Sequence, residues 1–407
     1  MAKVPMEKLR SKLSLGMTLG ADPEIFVVDE NNNIIPAFQF LPGKKEPLPP
    51  YGNCTKLYND GFAAEHNIVP KTCLGWLSDH MQLGLKYLTI KMKEHDKNAK
   101  LSTLTFADFS LDFLRAQKPE DIQLGCEPSL NAYGLVGNLE GEVTGRSTGG
   151  HMHFSLGGST LKQEVIERCV KAMDKIIAIA CVSMFEGYDN PMRRRYYGLP
   201  GEYRINTYPP IAYGYKPTNG FEYRVLSNAW LFHPAMTNLV WDIARKALVV
   251  GYLDYTEMWD ATEEETIQTL IENDVTKARE ILKRNEAMFK ELIRAAYGLY
   301  SADGYTDPVE FKYRIDAIFS AFMRSARDWI MYPDDIDRNW HITKDDYITH
   351  CNNNNSNGAK TSHFLAMYPE GKLDPDALTQ VSFNEAQYLK ILAKKEAASK
   401  AKKTKKS

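Results

Sequence analysis

Gly145-Arg-Ser-Thr-Gly-Gly-His151-Met-His153-Phe-Ser155 decides how the rest of this chain reads. In a β-strand alternate side chains share a face, so His151 and His153 project together while Met152 and Phe154 turn the other way. Two imidazoles aimed at one spot suit a metal ion or a phosphate; the plainer alternative is a half-buried strand with two hydrogen-bonded histidines. Gly149 and Gly150 would let the backbone approach a bound ligand closely.

Two more pairs of the same period occur far away in the chain. Leu19-Gly-Ala-Asp22-Pro23-Glu24-Ile-Phe-Val-Val28 reads as a strand with Asp22 and Glu24 on one face, and Pro23 implies a strand start, an edge or a bulge. Two adjacent carboxylates repel each other unless a cation lies between them. Gly220-Phe-Glu222-Tyr-Arg224-Val-Leu places Glu222 and Arg224 together on a third strand, an acid and a guanidinium able to serve a metal and a phosphoryl group. Tyr58-Asn-Asp60-Gly61-Phe-Ala-Ala-Glu65 is an Asp-Gly turn feeding a short strand, with Glu65 either a third candidate ligand or an exposed strand-end acid.

The 407 residues exceed the usual size of one core but fit an α+β enzyme domain with a helical appendage. A net charge of -2 gives no global attraction to nucleic acid or anionic lipid, and only the lysine-rich end from Lys394 leaves room for weak nucleic-acid contact. Six scattered cysteines without a Cys-x-x-Cys pair fit free thiols in a reducing cytosol. Met1 to Gly16 lacks an apolar core of signal-peptide length and no run approaches a membrane span, so a soluble, cytoplasmic protein without membrane contact is expected.

Ile34 to Phe38 is expected to pair back on the first strand, and Thr103 to Phe109 to form another. Helical spacing covers Cys73–Lys93, Leu161–Glu186, Ala229–Val249, Glu263–Tyr297, Pro308–Trp329 and Phe383–Ala398. The expected organisation is a catalytic unit over 1–250, a helical lobe over 251–345, then a polar loop, last helix and lysine-rich tail over 346–407. Between helix and third strand, Arg193-Arg194-Arg195 and Arg204 form a cluster that would repel itself without anions, either phosphates or surface acids.

A phosphate-cradling P-loop is excluded, because Gly358-Ala-Lys360-Thr361 lacks the glycine before lysine. Gly145-Arg-Ser147-Thr-Gly149 matches a nucleophile elbow in letters, but that elbow requires a helix directly after it, where a strand is expected.

Several spaced motifs carry a resemblance: Gly20-Ala-Asp-Pro-Glu-Ile-Phe, Asp60-Gly-x-x-x-Glu65, Gly125-Cys-Glu-Pro-x-x-Asn-Ala-Tyr133, Gly149-Gly-His-Met-His-Phe-Ser155, the arginine segment through Arg204, and Glu222-Tyr-Arg224. In this order the chain resembles the phage-encoded carboxylate–amine ligases called type 2 amidoligases, which are similar in their core to glutamine synthetase and glutamate–cysteine ligase. Glu127 stands where that family often shows an aspartate.

The resemblance implies a curved antiparallel sheet of glutamine synthetase-like type around ATP and two or more divalent ions, Mg2+ or Mn2+. It implies Asp22, Glu24, Glu65, His151 and Glu222 as metal ligands, and His153, Arg193, Arg195, Arg204 and Arg224 as contacts to nucleotide and phosphate. Arg204, Arg224 and Glu65 would be the catalytic set. The implied reaction is ATP-dependent amide formation through an acyl phosphate, between small-molecule or peptide carboxylate and amine substrates, in the host cytoplasm if phage-encoded. A metal-dependent hydrolase using the same acids and histidines is the rival, and ATP dependence separates the two.

Overall fold

The computed structural model describes residues 17–51, 55–68, 70, 74–122, 129–137, 143–156, 161–208, 218–300, 315–316, 318–328 and 330–341. The chain enters through β1 (Met17–Ala21), β2 (Glu24–Ile25) and β3 (Val27–Val28), which belong to three different sheets. The single strand expected over Leu19 to Val28 is thus broken twice. Pro23 cannot donate to a ladder, and the break at Asp22 and Pro23 lets the chain leave one sheet and join the next.

Two hairpins follow. β4 (Ile34–Ile35) returns on β3, as its apolar spacing suggests, and β5 (Leu48–Tyr51), β6 (Thr55–Asp60) and β7 (Ala63–Ile68) join β2 in the sheet order β2-β7-β6-β5. Gly61, at φ 60°, makes the turn between β6 and β7, a left-handed conformation that glycine adopts without a Cβ penalty. Helix α1 (Leu74–His95) covers this sheet with Leu77, Met81, Leu85 and Leu88, all buried at helical spacing. Then come β8 (Lys100–Leu101) on β3, β9 (Phe106–Asp108), β10 (Leu130–Asn131) and β11 (Gly145–Ser147), the last pairing with β9.

The histidine stretch is therefore two strands, β11 and β12 (Met152–Leu156), separated by Thr148 to His151. Beyond it lie α2 (Gln163–Met173), a π-helical turn at Asp174–Ala178 and α3 (Ile179–Met184), together occupying the expected Leu161–Glu186 helix. β13 (Glu202–Tyr208) and β14 (Thr218–Tyr223) complete a five-stranded antiparallel sheet in the order β1-β12-β14-β13-β10. One face of it is apolar: Met152, Phe154, Phe221 and Tyr223 are buried, and Phe154 packs 5.7 Å from Trp241 of α4 (Pro234–Tyr252). Pro234 at the start of α4 and the capping His233 delay that helix beyond the expected Ala229. Cys169 and Cys181 are free buried thiols.

The expected long helix from Glu263 is three: α5 (Glu263–Glu272), α6 (Val275–Arg284) and α7 (Glu286–Tyr300). Asn273 adopts the left-handed conformation at φ 52° and ends α5, and the Asp274 side chain accepts from the Lys277 amide to start α6. The short helix Ile336–Trp340 closes back on the fold, with Trp340 Nε1 donating to the Leu231 carbonyl at 2.7 Å. Mixed helices and antiparallel sheets are thus the architecture. Among the described residues no helix is long and apolar enough to cross a membrane. The Phe383–Ala398 helix, the lysine-rich end and, within Pro308–Trp329, residues 308–314, 317 and 329 lie outside the described residues.

Candidate active site

Strand register brings the three distant segments together. β12 lies between β1 and β14, with His153 opposite Gly20 on one side and Glu222 on the other, and Arg204 of β13 pairs with Glu222 in turn. His153, Glu222, Arg204 and Asn206 consequently share the face opposite the Phe154 core. Asp22, just past the end of β1, reaches the same hollow: its Oδ1 is 2.7 Å from His153 Nε2 and 3.4 Å from His151 Nδ1.

His151 stands between acids from separate strands. Its Nδ1 is 3.4 Å from Glu222 Oε1, and its Nε2, 4.0 Å from Glu24 Oε1, is buried with no hydrogen-bond partner among the described residues. The glycines before it serve the protein's own groups. A Cβ on Gly149 would strike the His151 ring, and one on Gly150 would strike the Ser227 carbonyl and the Trp230 indole. The Gly149 amide donates to Glu24 Oε2 at 2.7 Å, and the Glu24 amide donates to the Gly149 carbonyl at 3.0 Å. Gly149 thus locks β2 onto the turn that carries His151, and the Gly150 amide donates to the Leu226 carbonyl at 2.9 Å.

Glu222 is buried between two guanidiniums: Arg224 donates to its Oε1, Arg204 Nη1 lies 3.4 Å from its Oε2, and Asn206 donates to Oε2 at 3.3 Å. Burial and Asp22 push the Glu222 carboxyl upward, but His151, His153 and Arg224 outweigh them and hold it below its ordinary range. Burial likewise opposes ionisation of Asp22, and the His153 and His151 imidazoles bring it well down. The His153 imidazole is disfavoured as a cation by burial, yet Asp22 raises its pKa overall, and Tyr208 Oη sits 2.9 Å from Nδ1.

A second acid group faces the first. Glu24 pairs across β2–β7 with Glu65, and carboxylate oxygens of Glu24, Asp60 and Glu65 lie within 4.8 Å of one another, as do ligand atoms of Asp22, His153 and Glu222. Tyr58 donates to Glu65 Oε1, and Lys44, exposed above the group, holds its Nζ 3.9 Å from the same oxygen. Burial first, then the charge of Asp22, push Glu65 well above its ordinary value; Lys44 opposes them only in part. Glu24 is pushed up by burial against the pull of His151. Asp60 is the residue that sequence reasoning passed over. Its signal was the Asp-Gly turn five residues before Glu65, which reads as turn chemistry unless one knows that the hairpin folds back beside Glu24.

The arginine cluster separates. Arg193 is buried, with Nε donating to Asp189 Oδ1 at 2.7 Å and a second nitrogen to the Val225 carbonyl, and Arg194 donates to the Gly198 carbonyl at 2.6 Å. Asp189 supplies the countercharge to this pair from inside the fold. Arg195 is exposed, while Arg224 stacks 4.7 Å over the Tyr197 ring, which also lies 5.2 Å from His151. Asn131 holds its own loop, accepting from the Tyr133 and Leu135 amides; Glu127 lies outside the described residues.

The family described as Phage phiEco32-like COOH.NH2 ligase-type 2 matches residues 137–341, half of the chain. The chain belongs to this family. The COOH.NH2 ligase match includes His151, His153, Arg204, Glu222 and Arg224, while Asp22, Glu24, Asp60 and Glu65 come from the segment before it. Among solved structures the chain is similar to a bifunctional glutathione synthetase from Pasteurella multocida, at 9% identity and TM-score 0.44 over 89% of this chain and 52% of that one. It is also similar to a novel glutamine synthase homologue, at 12% identity and TM-score 0.33 over 78% of this chain and 75% of that one. The chain spans about half the length of the first of these. No curated protein matches it.

Proposed function

We propose that the protein is an ATP-dependent carboxylate–amine ligase that makes an amide through an acyl phosphate, with its five-stranded sheet acting as the curved catalytic sheet of the glutamine synthetase type. The observation that carries this reading is the pair of acid groups, Asp22/His153/Glu222 and Glu24/Asp60/Glu65, set on either side of His151 with Arg204 and Arg224 on the same carboxylate.

The donor set fits divalent ions. Carboxylates with one or two imidazoles suit Mg2+ or Mn2+, and a buried His151 Nε2 without a partner among the described residues is a lone pair or N–H awaiting one. Asp22, His153 and Glu222 would hold one ion and Glu24, Asp60 and Glu65 another, with His151 able to serve either. Ions there would neutralise charge on the transferring phosphoryl group.

The protein's own groups do the rest. Arg204 and Arg224, anchored on Glu222, and the exposed Arg195 are assigned to phosphate, with Arg193 supporting that wall from inside. Tyr208 orients His153 toward Asp22 and nucleotide. Glu65 is assigned the proton released when the amine attacks the activated carbonyl. The catalytic unit is placed at 1–250, with the helices of 251–345 packed on it, in the cytoplasm.

The test is ADP release with Mg2+ against pools of carboxylates and amines, followed by mass analysis of any new amide. Glu24→Gln and Glu65→Gln should abolish ADP release. Both carboxyls are raised toward neutrality, so a neutral isostere should leave the metal-free melting temperature unchanged or higher. Full ADP release by both variants refutes the ligand assignment.

A further inference from the structure

Arg146, the middle residue of β11, is 8% exposed, and its guanidinium donates to backbone carbonyls at Val143 (3.1 Å), Gly145 (2.9 Å) and Ile122 (3.0 Å). It lies 5.3 Å over the Phe62 ring. Carbonyls satisfy N–H groups but leave the charge uncompensated, and a buried cation without a countercharge is strongly disfavoured. The other buried arginines of this region solve the problem with acids: Arg193 and Arg194 with Asp189, Arg224 with Glu222. Among the described residues no carboxylate makes an ion pair with Arg146, and its main electrostatic neighbour is Tyr196.

Arg146 lines a cavity of about 90 Å³, together with Phe62, Tyr196 and Tyr197. Glu24 and Asp60 of the second acid group also line it. Asp121 is on the wall as well but makes no ion pair with the guanidinium. The cavity thus has on its wall a cation that no acid among the described residues pairs with, and a candidate cation-binding acid group on the same wall.

We propose that this cavity is the subsite for the acid substrate, and that Arg146 receives a second carboxylate of that substrate, so that the protein ligates one end of a dicarboxylic acid. The identity of the ligand as substrate rests on the ligase reading above; the binding itself does not. The reacting carboxyl lies toward Glu24 and Asp60, the second one against β11, and the rings of Phe62 and Tyr196 flank the carbon chain.

The probes are glutarate and pentanoate, acids of equal carbon count with two and one carboxylates, measured by calorimetry on the full chain with Mn2+. A charge-assisted hydrogen bond to a buried arginine predicts that glutarate binds about 10- to 100-fold more tightly. Arg146→Met should erase that preference while Mn2+ and ATP affinities stay within about twofold of the parent. If the methionine variant does not fold, Arg146→Lys decides: it keeps the charge, loses the fork, and should cut the preference by about tenfold.

Equal binding of the two acids by the parent protein overturns the proposal. So does an unchanged preference in whichever variant folds, or a loss of ATP affinity in place of glutarate affinity, which would make the anion a nucleotide phosphate. ADP release that fails with every acid would sink the ligase reading and leave a glutarate preference standing. Active ADP release without that preference would sink the subsite alone.

Discussion

Glu222 shows how one carboxylate can organise a site. It is 1% exposed and accepts from Arg224, Arg204 and Asn206 while His151 stands 3.4 Å away, so its charge holds two cations in place. Unlike Glu24 and Glu65, it is held in the charged state, and a neutral replacement removes the countercharge of a buried guanidinium. Glu222→Gln should therefore lower folding stability by about 3 kcal/mol, the scale for breaking a buried pair, as read by urea denaturation. A change below about 0.5 kcal/mol would mean that the two arginines do not depend on it. At this scale much was legible beforehand: the His-x-His, Asp-x-Glu and Glu-x-Arg spacings name side chains that meet in one hollow, but no single strand carries both members of a pair, because His151 precedes β12, Asp22 follows β1 while Glu24 opens β2 of another sheet, and Arg224 follows β14. Asp60 was not legible, because a turn acid and a ligand acid look the same in one sequence. Nor was the burial of Arg193, whose partner Asp189 is ordinary loop composition until the chain folds around it.

At the scale of elements, the site's rear support is the π-helical turn after α2. Asp174 in that turn is fully buried, accepting from the Gly201 amide at 2.6 Å and from the Tyr223 hydroxyl at 2.5 Å, and Tyr223 is the strand neighbour of Glu222 on the opposite face. Burial pushes its carboxyl up to about 7, against hydrogen bonds from Tyr223 and Gly201 that pull it down. A carboxyl with a higher pKa folded than unfolded binds its proton more tightly in the fold. Its contribution is complete below the ordinary carboxylate range and is lost as pH rises through about 7. The melting temperature of the parent should therefore fall, relative to Asp174→Asn, between about pH 4 and pH 7.5, with a limiting difference of about 4 kcal/mol. Parallel curves across that range would count against a shifted Asp174. Helix positions were readable from apolar spacing, but the interruptions were set by single residues, Asn273 with Asp274 and Pro234, and the π turn left no mark in the periodicity.

For the whole molecule, five acids converge from two parts of the chain: Asp22, Glu24, Asp60 and Glu65 from residues before 70, and Glu222 from within the ligase-family match. Their mutual repulsion opposes the docking of those parts, and a cation that binds only the docked state should stabilise it. Mg2+ or Mn2+ at about 100 times its Kd should raise stability by about 2.7 kcal/mol, reversed by a chelator, as followed by thermal melting. No shift in the parent, or an equal shift in Glu24→Gln with Glu65→Gln, would argue against an ion at these acids.

The sequence by itself determined which acids, imidazoles and guanidiniums stand two residues apart in three short segments, and the order of motifs that resembles the ligase family, because spacing and side-chain chemistry are local. Only the tertiary structure decided that β12 lies between β1 and β14, that Glu24 meets Glu65 and Asp60, and that Arg146 is buried with no acid partner among the described residues. Those contacts depend on strand register and on which hairpin packs where, and they arise from non-local burial that no short stretch of residues encodes.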